Sequence, residues 1–366
     1  MSLHFRFAIA SDLHVALPET IPESTQRFHL VEVSIPVLDK VLEHLSTVDL
    51  DFLLVPGDLT QDGEPENHTW LQQRLEQLPY TVYVIPGNHD IPSASGSDRA
   101  IAPRDFPNYY RRCGYDRAGT PDALYYTCEL LPGVQLVALN SNLFDADGKQ
   151  YGRLDREQLN WLRQLLPALR DRLAIVAIHH NVIEHVPGQG QHPLSRRYML
   201  ENADELKQIL RENGVKLVCT GHLHVQDIAL EGELCDIVTG SLVSYPHPYR
   251  IIDVCHDDRG MVLEVDSHRV AAVPGWEDLQ ERSRECLGDR SFPFMQRLLA
   301  GVSLDLDADA TDAIARHLRY FWADIAAGDA RFEFPDFPPA ARRYFERFSA
   351  DACPAYVGDN RATLVL

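Results

Sequence analysis

The chain contains no apolar run approaching the ~20 residues needed to cross a bilayer, so no membrane-spanning helix and no membrane partner are expected. Residues 1–10 lack the continuous apolar stretch of a secretory leader. Basic residues are scarce: 34 Lys and Arg stand against 54 Asp and Glu, leaving a formal net charge of −20. A surface this acidic repels a phosphate backbone, which argues against a nucleic acid polymer as substrate or partner. No C-x-x-C pair occurs, so the thiolate frameworks of structural zinc sites are absent. The cysteines number seven, an odd count. Cys128, Cys219, Cys235 and Cys255 fall in strand-like runs and read as buried, reduced thiols. That use of cysteine fits a reducing compartment, so a cytoplasmic location is expected. No internal repeat or low-complexity segment is evident.

What is present is a globular composition, 45% hydrophobic and 24% charged, over 366 residues. That length exceeds one ordinary core. Strand-like runs at 5–10, 52–55, 81–85, 124–129, 134–139, 173–178 and 216–220 alternate with helical patterns at 22–44, 64–77, 155–169 and 202–213. Pro36 implies a kink in the first helix. Four further strands, 225–230, 234–238, 249–255 and 262–268, follow with short turns, one of them at 257–260. Beyond Val273-Pro274-Gly275 the pattern turns helical, at 276–287, 292–300, 308–327 and 339–349. The expected fold class is α/β over residues 1–272, followed by a helical C-terminal extension, 273–366.

Five short segments carry the chemistry: Asp12-Leu13-His14, Gly57-Asp58, Gly87-Asn88-His89-Asp90, His179-His180 and Gly221-His222-Leu223-His224. Each follows a strand-like run. In a sheet flanked by helices, ligands gather where strands finish at their carboxyl ends. Oxygen and imidazole donors without thiolate suit Mn, Fe or Zn ions. Asp12 and His14, like His222 and His224, have the i, i+2 spacing that brings alternate side chains to one side. His222 and His224 could then serve one ion each. Asp58 has two carboxylate oxygens and can bridge two cations, and Asn88 offers a neutral carbonyl oxygen. Two ions about 3.5–4 Å apart can hold a hydroxide and a phosphoryl group together.

In this order, the five segments resemble the calcineurin-like metallophosphoesterase superfamily, over residues 8–224. Ser11-Asp12-Leu13-His14, Val84-Ile85-Pro86-Gly87-Asn88-His89-Asp90, and Gly152-Arg153-Leu154 ahead of Trp161-Leu162 are most similar to its bacterial class III cyclic-nucleotide phosphodiesterase and glycerophosphodiesterase branch. The resemblance implies a four-layer α/β-β/α sandwich with two metal ions at its rim. It implies Asp12, His14 and His224 on one ion, Asn88, His179 and His222 on the other, and Asp58 between them. His89 would stand near the leaving-group oxygen, oriented by Asp90. The implied reaction is hydrolysis of small phosphodiesters by a hydroxide held between the ions, with a phosphomonoesterase as the alternative and a non-catalytic scaffold as a lesser one. Asn181-Val182 stands where that branch has prolines after the His pair, which leaves the adjacent substrate loop open.

Other residues have two readings each. His180 either touches substrate phosphate or supports His179. Asn142 either reaches the pocket or caps a loop. Tyr245, His247, Tyr249 and Arg250 form a proline-stiffened stretch that is either a pocket wall or a strand connection. The run Asp305-x-Asp307-x-Asp309 lacks the glycine and the twelfth-position acid of a calcium loop and reads as an acidic helix N-terminus. The extension, rich in Tyr320, Phe321, Trp322, Tyr344, Phe345 and Phe348, is expected to bury its rings on the catalytic domain or in a homo-oligomer, and to restrict access to the metal rim.

Overall fold

Strand β1 (Leu3–Ile9) lies parallel to β2 (Phe52–Val55), and β2 parallel to β3 (Thr81–Val84). Next come an antiparallel pair, β4 (Tyr126–Leu131) and β5 (Val134–Ala138), and a small ribbon, β6 (Asn142–Phe144) and β7 (Gln150–Gly152). The remaining strands are β8 (Leu173–Ala177), β9 (Leu217–Thr220), β10 (Asp227–Glu231), β11 (Leu234–Val238), β12 (Pro248–Asp257), β13 (Gly260–Arg269) and β14 (Arg361–Val365). Among the described residues they build two six-stranded sheets, ordered β14-β13-β12-β1-β2-β3 and β10-β11-β9-β8-β5-β4. This computed structural model describes residues 3–366 except 22, 24–26, 120–121, 258–259, 303 and 305.

Side-chain alternation sorts the faces of these strands. In β8, Ile175 and Ala177 join Phe7, Ile9 and Leu54 in the core between the sheets. Val176, one residue out of phase, packs instead with Leu159 and Leu162 of helix Arg156–Leu165 and with Leu206 of helix Ala203–Glu212. Helices Ser34–Leu45 and Pro65–Leu75 set Val37, Val41 and Leu71 against the first sheet. Two sheets between helical layers give the α/β sandwich expected. The parallel strands at its centre, β1-β2-β3 and β5-β8-β9, all discharge their carboxyl ends at one rim.

Local signals explain most element ends. Asp155 caps its helix, its side chain accepting from the Gln158 N–H at 2.7 Å. Asp307 does the same for Ala308–His317, accepting from Ala310, as the acidic-N-terminus reading requires; Asp305 lies outside the described residues.

Several expectations are corrected. The helix read over 22–44 is confined to Ser34–Leu45, where Pro36 sits in the first turn and breaks no hydrogen bond; residues 22 and 24–26 lie outside the described set, as do 258–259 of the expected 257–260 turn. The helices read at 276–287 and 292–300 are one, Leu279–Ala300, running through Pro293. The helix read at 308–327 is two, Ala308–His317 and Phe321–Ala327. Cys255 is exposed, because it falls on the outward phase of β12, whereas Cys128, Cys219 and Cys235 are buried.

The last residues are not helical either. β14 returns to the first sheet and pairs with β13, burying Ala362 and Leu364 on alternate positions. Between β13 and β14 the extension packs Met295, Leu299, Phe321 and Phe345 against Leu223, Val225 and Val238 of the sandwich. Among the described residues no helix is long and apolar enough to cross a membrane.

Candidate active site

Each ligand candidate stands just past a parallel strand: Asp12 and His14 after β1, Asp58 after β2, Asn88 after β3, His179 after β8, His222 and His224 after β9. The backbones interlock there. The Asp12 N–H donates to the Gly57 carbonyl at 3.2 Å and the His14 N–H to the Asp58 carbonyl at 2.9 Å. The i, i+2 pairs do converge, but not through extended chain. Asp12 (φ 51°), His14 (φ 42°), Asp58 (φ 51°), His222 (φ 68°) and His224 (φ 60°) all occupy the left-handed region. Non-glycine residues rarely do so, and backbone strain of this kind gathers at functional sites. Close approach also demands glycine at two points. A Cβ on Gly87 would lie 2.2 Å from Oδ1 of Asp58, and one on Gly57 would lie 2.4 Å from Nδ1 of His179.

Two clusters form, sharing one residue. Asp12, His14, Asp58 and His224 make the first, and Asp58, His179 and His222 the second; the ligand atoms within each lie within 4.8 Å of one another. In the first, Nε2 of His224 is 3.1 Å from Oδ1 of Asp12, and Nε2 of His14 is 3.4 Å from Nε2 of His224. In the second, Nε2 of His179 is 3.1 Å from Oδ1 of Asn88. Oδ2 of Asp58 faces both, 3.7 Å from Nε2 of His14 and 3.3 Å from Nε2 of His179. Its Oδ1 is occupied by the N–H of His89 at 2.8 Å. The carboxylate therefore presents a single oxygen between the clusters.

The donor set fits cations. Burial, reinforced by neighbouring imidazoles, pushes His14 and His222 well below the usual range, leaving neutral rings with lone pairs. Burial would raise Asp58, but the imidazoles of His179, His89 and His14 outweigh it and hold the carboxylate ionised. His179 shows the reciprocal effect: burial lowers it, Asp58 overrides, and it rises to about 9. Its Nδ1–H donates to the Pro56 carbonyl at 2.8 Å, which aims Nε2 at Asp58. Nδ1 of His14 is buried without a hydrogen-bond partner. Among the described residues, neither Asp12 nor Asp58 pairs with Lys or Arg. Buried carboxylates without a Lys or Arg partner, set among imidazoles of which His14 and His222 are neutral, are a metal-ligand environment.

His89 borders the same cavity. The proposed partner Asp90 does not orient it. Adjacent side chains on this tight turn point opposite ways, and the Asp90 carboxylate instead accepts the N–H groups of Thr60 (2.9 Å) and Gly87 (2.8 Å). Nδ1 of His89 donates to the Gln61 carbonyl at 2.6 Å, with Asp62 3.6 Å away. Burial would lower this imidazole, but Asp58, Asp62 and the Gln61 carbonyl together outweigh it and lift the group to about 9.

His180 is buried behind His222, its ring centroid 4.3 Å away and its Nδ1 bonded to the Ser141 hydroxyl at 2.7 Å; it does not line the cavity. Asn142 donates to the Pro86 carbonyl at 3.0 Å and serves its loop. Tyr245 reaches the cavity wall. His247 does not. It is fully buried and bonded to the Leu242 carbonyl at 2.7 Å. Arg250 is likewise interior, its guanidinium held by the Val238 and Asp359 carbonyls.

One residue had no sequence signal. His29 stacks on His14 with ring centroids 4.5 Å apart, and its imidazole joins His14 and His224 in a third group of potential ligands. Burial drops it to about 3, and it bonds Gln61 Oε1 at 3.0 Å.

The calcineurin-like phosphoesterase family matches the chain over residues 5–226. The chain is a calcineurin-like phosphoesterase. This phosphoesterase is 30% identical over 223 residues to a 3′,5′-cyclic-nucleotide phosphodiesterase of Nostoc sp., covering 61% of the chain and 72% of the relative. It is 28% identical over 178 residues to a protein of Arcobacter nitrofigilis described as a probable glycerophosphodiester phosphodiesterase, covering 48% of the chain and 56% of that relative. The fold of this phosphoesterase also matches a dimetal phosphatase from Danio rerio, with a TM-score of 0.55 and 14% identity over 71% of the chain and 95% of that protein.

Proposed function

We propose that the chain is a binuclear-metal phosphodiesterase acting on small phosphodiesters, with cyclic nucleotides and glycerophosphodiesters the classes that its relatives' names point to. The observation that carries this reading is Oδ2 of Asp58, 3.3 Å from His179 and 3.7 Å from His14, between two ligand clusters. Asp12, His14 and His224 would hold one ion, Asn88, His179 and His222 the other, with Asp58 common to both. Mn or Fe suits this mixture of oxygen and imidazole donors best, and Zn is compatible. Such ions supply Lewis acidity toward a phosphoryl oxygen and acidify a water to near-neutral pKa.

The protein's own groups do the rest. Asn88 brings a neutral oxygen, so the second cluster carries less negative charge than the first. His89, donating through Nδ1 to Gln61, keeps a second ring nitrogen free of protein partners among the described residues. Protonated there, it would pass a proton to the departing alkoxide. Asp90 positions the turn that carries His89 rather than the imidazole itself.

The experiment is a screen of the Mn-reconstituted protein against cyclic nucleotides, glycerophosphodiesters and matched phosphomonoesters. Diester turnover that disappears on chelation and returns with metal supports the proposal. Turnover of monoesters alone would replace it with a phosphomonoesterase on the same groups.

A further inference from the structure

The cavity bordered by Asp58, Asn88 and His89 does not stop at the ligand clusters. It has a volume of about 450 Å³ and continues beneath the helices of the extension, where Phe294, Leu298, Trp322, Tyr344 and Phe348 form its wall. Phe28 closes it from the opposite side, its ring 6.0 Å from that of Phe294, which in turn lies 5.8 Å from Trp322. This volume is within the range of small-molecule sites.

The polar inventory of the wall is as informative as its apolar part. Away from Asp58 and Asn88, its polar side chains among the described residues are hydroxyls and imidazoles such as Ser195, Ser244, Tyr198 and His192, with no carboxylate or amide, while Phe294, Leu298, Trp322 and Phe348 face it on the extension's side. A nucleobase lying against that side would leave donors and acceptors on its edge without partners, and each one left unpaired is penalised. A hydrocarbon makes no such demand. Cations do occur at the wall: Arg27, Arg197 and Arg297 border the cavity in a chain of net charge −20. Arg27 is already paired with Glu32 at 2.6 Å, which leaves Arg197 and Arg297 to favour a ligand that carries negative charge.

Resting on the phosphoesterase reading above, we propose that this cavity selects phosphoesters in which one esterified group is an aliphatic chain. The phosphoryl group sits at the Asp58–His89 end, and the chain lies along Phe294, Trp322 and Phe348. The extension between β13 and β14 is then the specificity element of the enzyme.

The test uses the full chain reconstituted with Mn²⁺. Methyl, butyl and octyl phosphate, below their micellar concentrations, compete against hydrolysis of bis(p-nitrophenyl) phosphate, with adenosine 5′-monophosphate in parallel. Inhibition is expected to tighten with chain length, by about fourfold per methylene where the chain is fully covered. Octyl phosphate should also inhibit more strongly than the nucleotide. In Trp322→Ala the octyl-to-methyl affinity ratio should fall by about tenfold or more. Flat inhibition across the alkyl series, or tighter binding of the nucleotide, overturns the proposal while leaving the phosphodiesterase reading intact. If bis(p-nitrophenyl) phosphate is not hydrolysed, that earlier reading fails instead. Calorimetric titration of the same alkyl phosphates then decides the cavity's preference independently.

Discussion

The backbone N–H of His89 donates to Oδ1 of Asp58 at 2.8 Å. A proposed acid and a proposed bridge are thereby joined through main chain, and the other carboxylate oxygen is turned toward both ligand clusters. Asp58→Ala should remove the shared ligand, so the purified variant is expected to hold at most one ion per chain. Turnover should fall by more than the roughly 100-fold that loss of a partner behind a ligand produces. Metal content by elemental analysis, with kcat on a diester, checks this; two tightly held ions in the variant would refute the shared role.

The ring of His89 stands edge-on to that of His14, centroids 4.7 Å apart, but supplies no atom to either ligand cluster. His89→Ala is expected to keep both ions and to lose ~10²–10⁴-fold in turnover of esters with poor leaving groups. Esters of p-nitrophenol, whose departing oxygen needs no proton, should lose far less. Equal losses on both would remove His89 from the proton-transfer step.

Asp90 ties two ligand-bearing turns, accepting from Thr60 and Gly87 in a fully buried position. Asp90→Asn places an N–H₂ group against at least one of these donors. About 1–3 kcal/mol of stability should be lost, seen as a lower midpoint in chemical denaturation. Unchanged stability would mean that the turns do not depend on this carboxylate.

A separate pH effect comes from His185, whose Nδ1 is 2.6 Å from Asp227 and whose Nε2 is 3.3 Å from Asp236. Burial pulls this imidazole down, but the two carboxylates outweigh it and lift it from 6.5 to about 9. The folded chain thus binds the proton more tightly than the unfolded one. Its contribution is complete below about pH 6.5 and drains away as pH rises through about 9. Up to about 3 kcal/mol should disappear across that window. Denaturation midpoints from pH 6 to 9.5 should slope downward in the parent and much less in His185→Gln; parallel slopes would exclude the His185 contribution.

What the sequence made legible was the set of strand ends. Asp12, Asp58, Asn88, His179 and His222 each follow a run whose hydrophobic pattern marks a buried strand, and parallel pairing brings such ends to one rim. What it concealed depends on longer-range placement. His29 lies in a segment with no strand before it, and nothing in its neighbours marks it as facing His14. The Gln61 carbonyl that orients His89 is a main-chain atom, to which no residue type is tied. The Asp90 carboxylate is taken up by the N–H groups of Thr60 and Gly87, and His247 by the Leu242 carbonyl, main-chain partners that residue types do not reveal. β14 did carry a signal, since Arg361-Ala362-Thr363-Leu364-Val365 alternates with period two and Ala362 and Leu364 are the buried members. Its partner strand, however, ends about ninety residues earlier.

That last pairing changes what kind of object the extension is. β13 and β14 are neighbours in one sheet, so the helices from Leu279 to Glu346 are a long excursion between two adjacent antiparallel strands rather than an appended tail. Both ends of the excursion are stitched into the same sheet as β1. The entropy of closing such a loop rises only slowly with its length, so residues can be added to or removed from the excursion with little penalty to the sandwich beneath. The aromatic wall can therefore be remodelled in sequence while its distance from Asp58 and His89 stays anchored at two points.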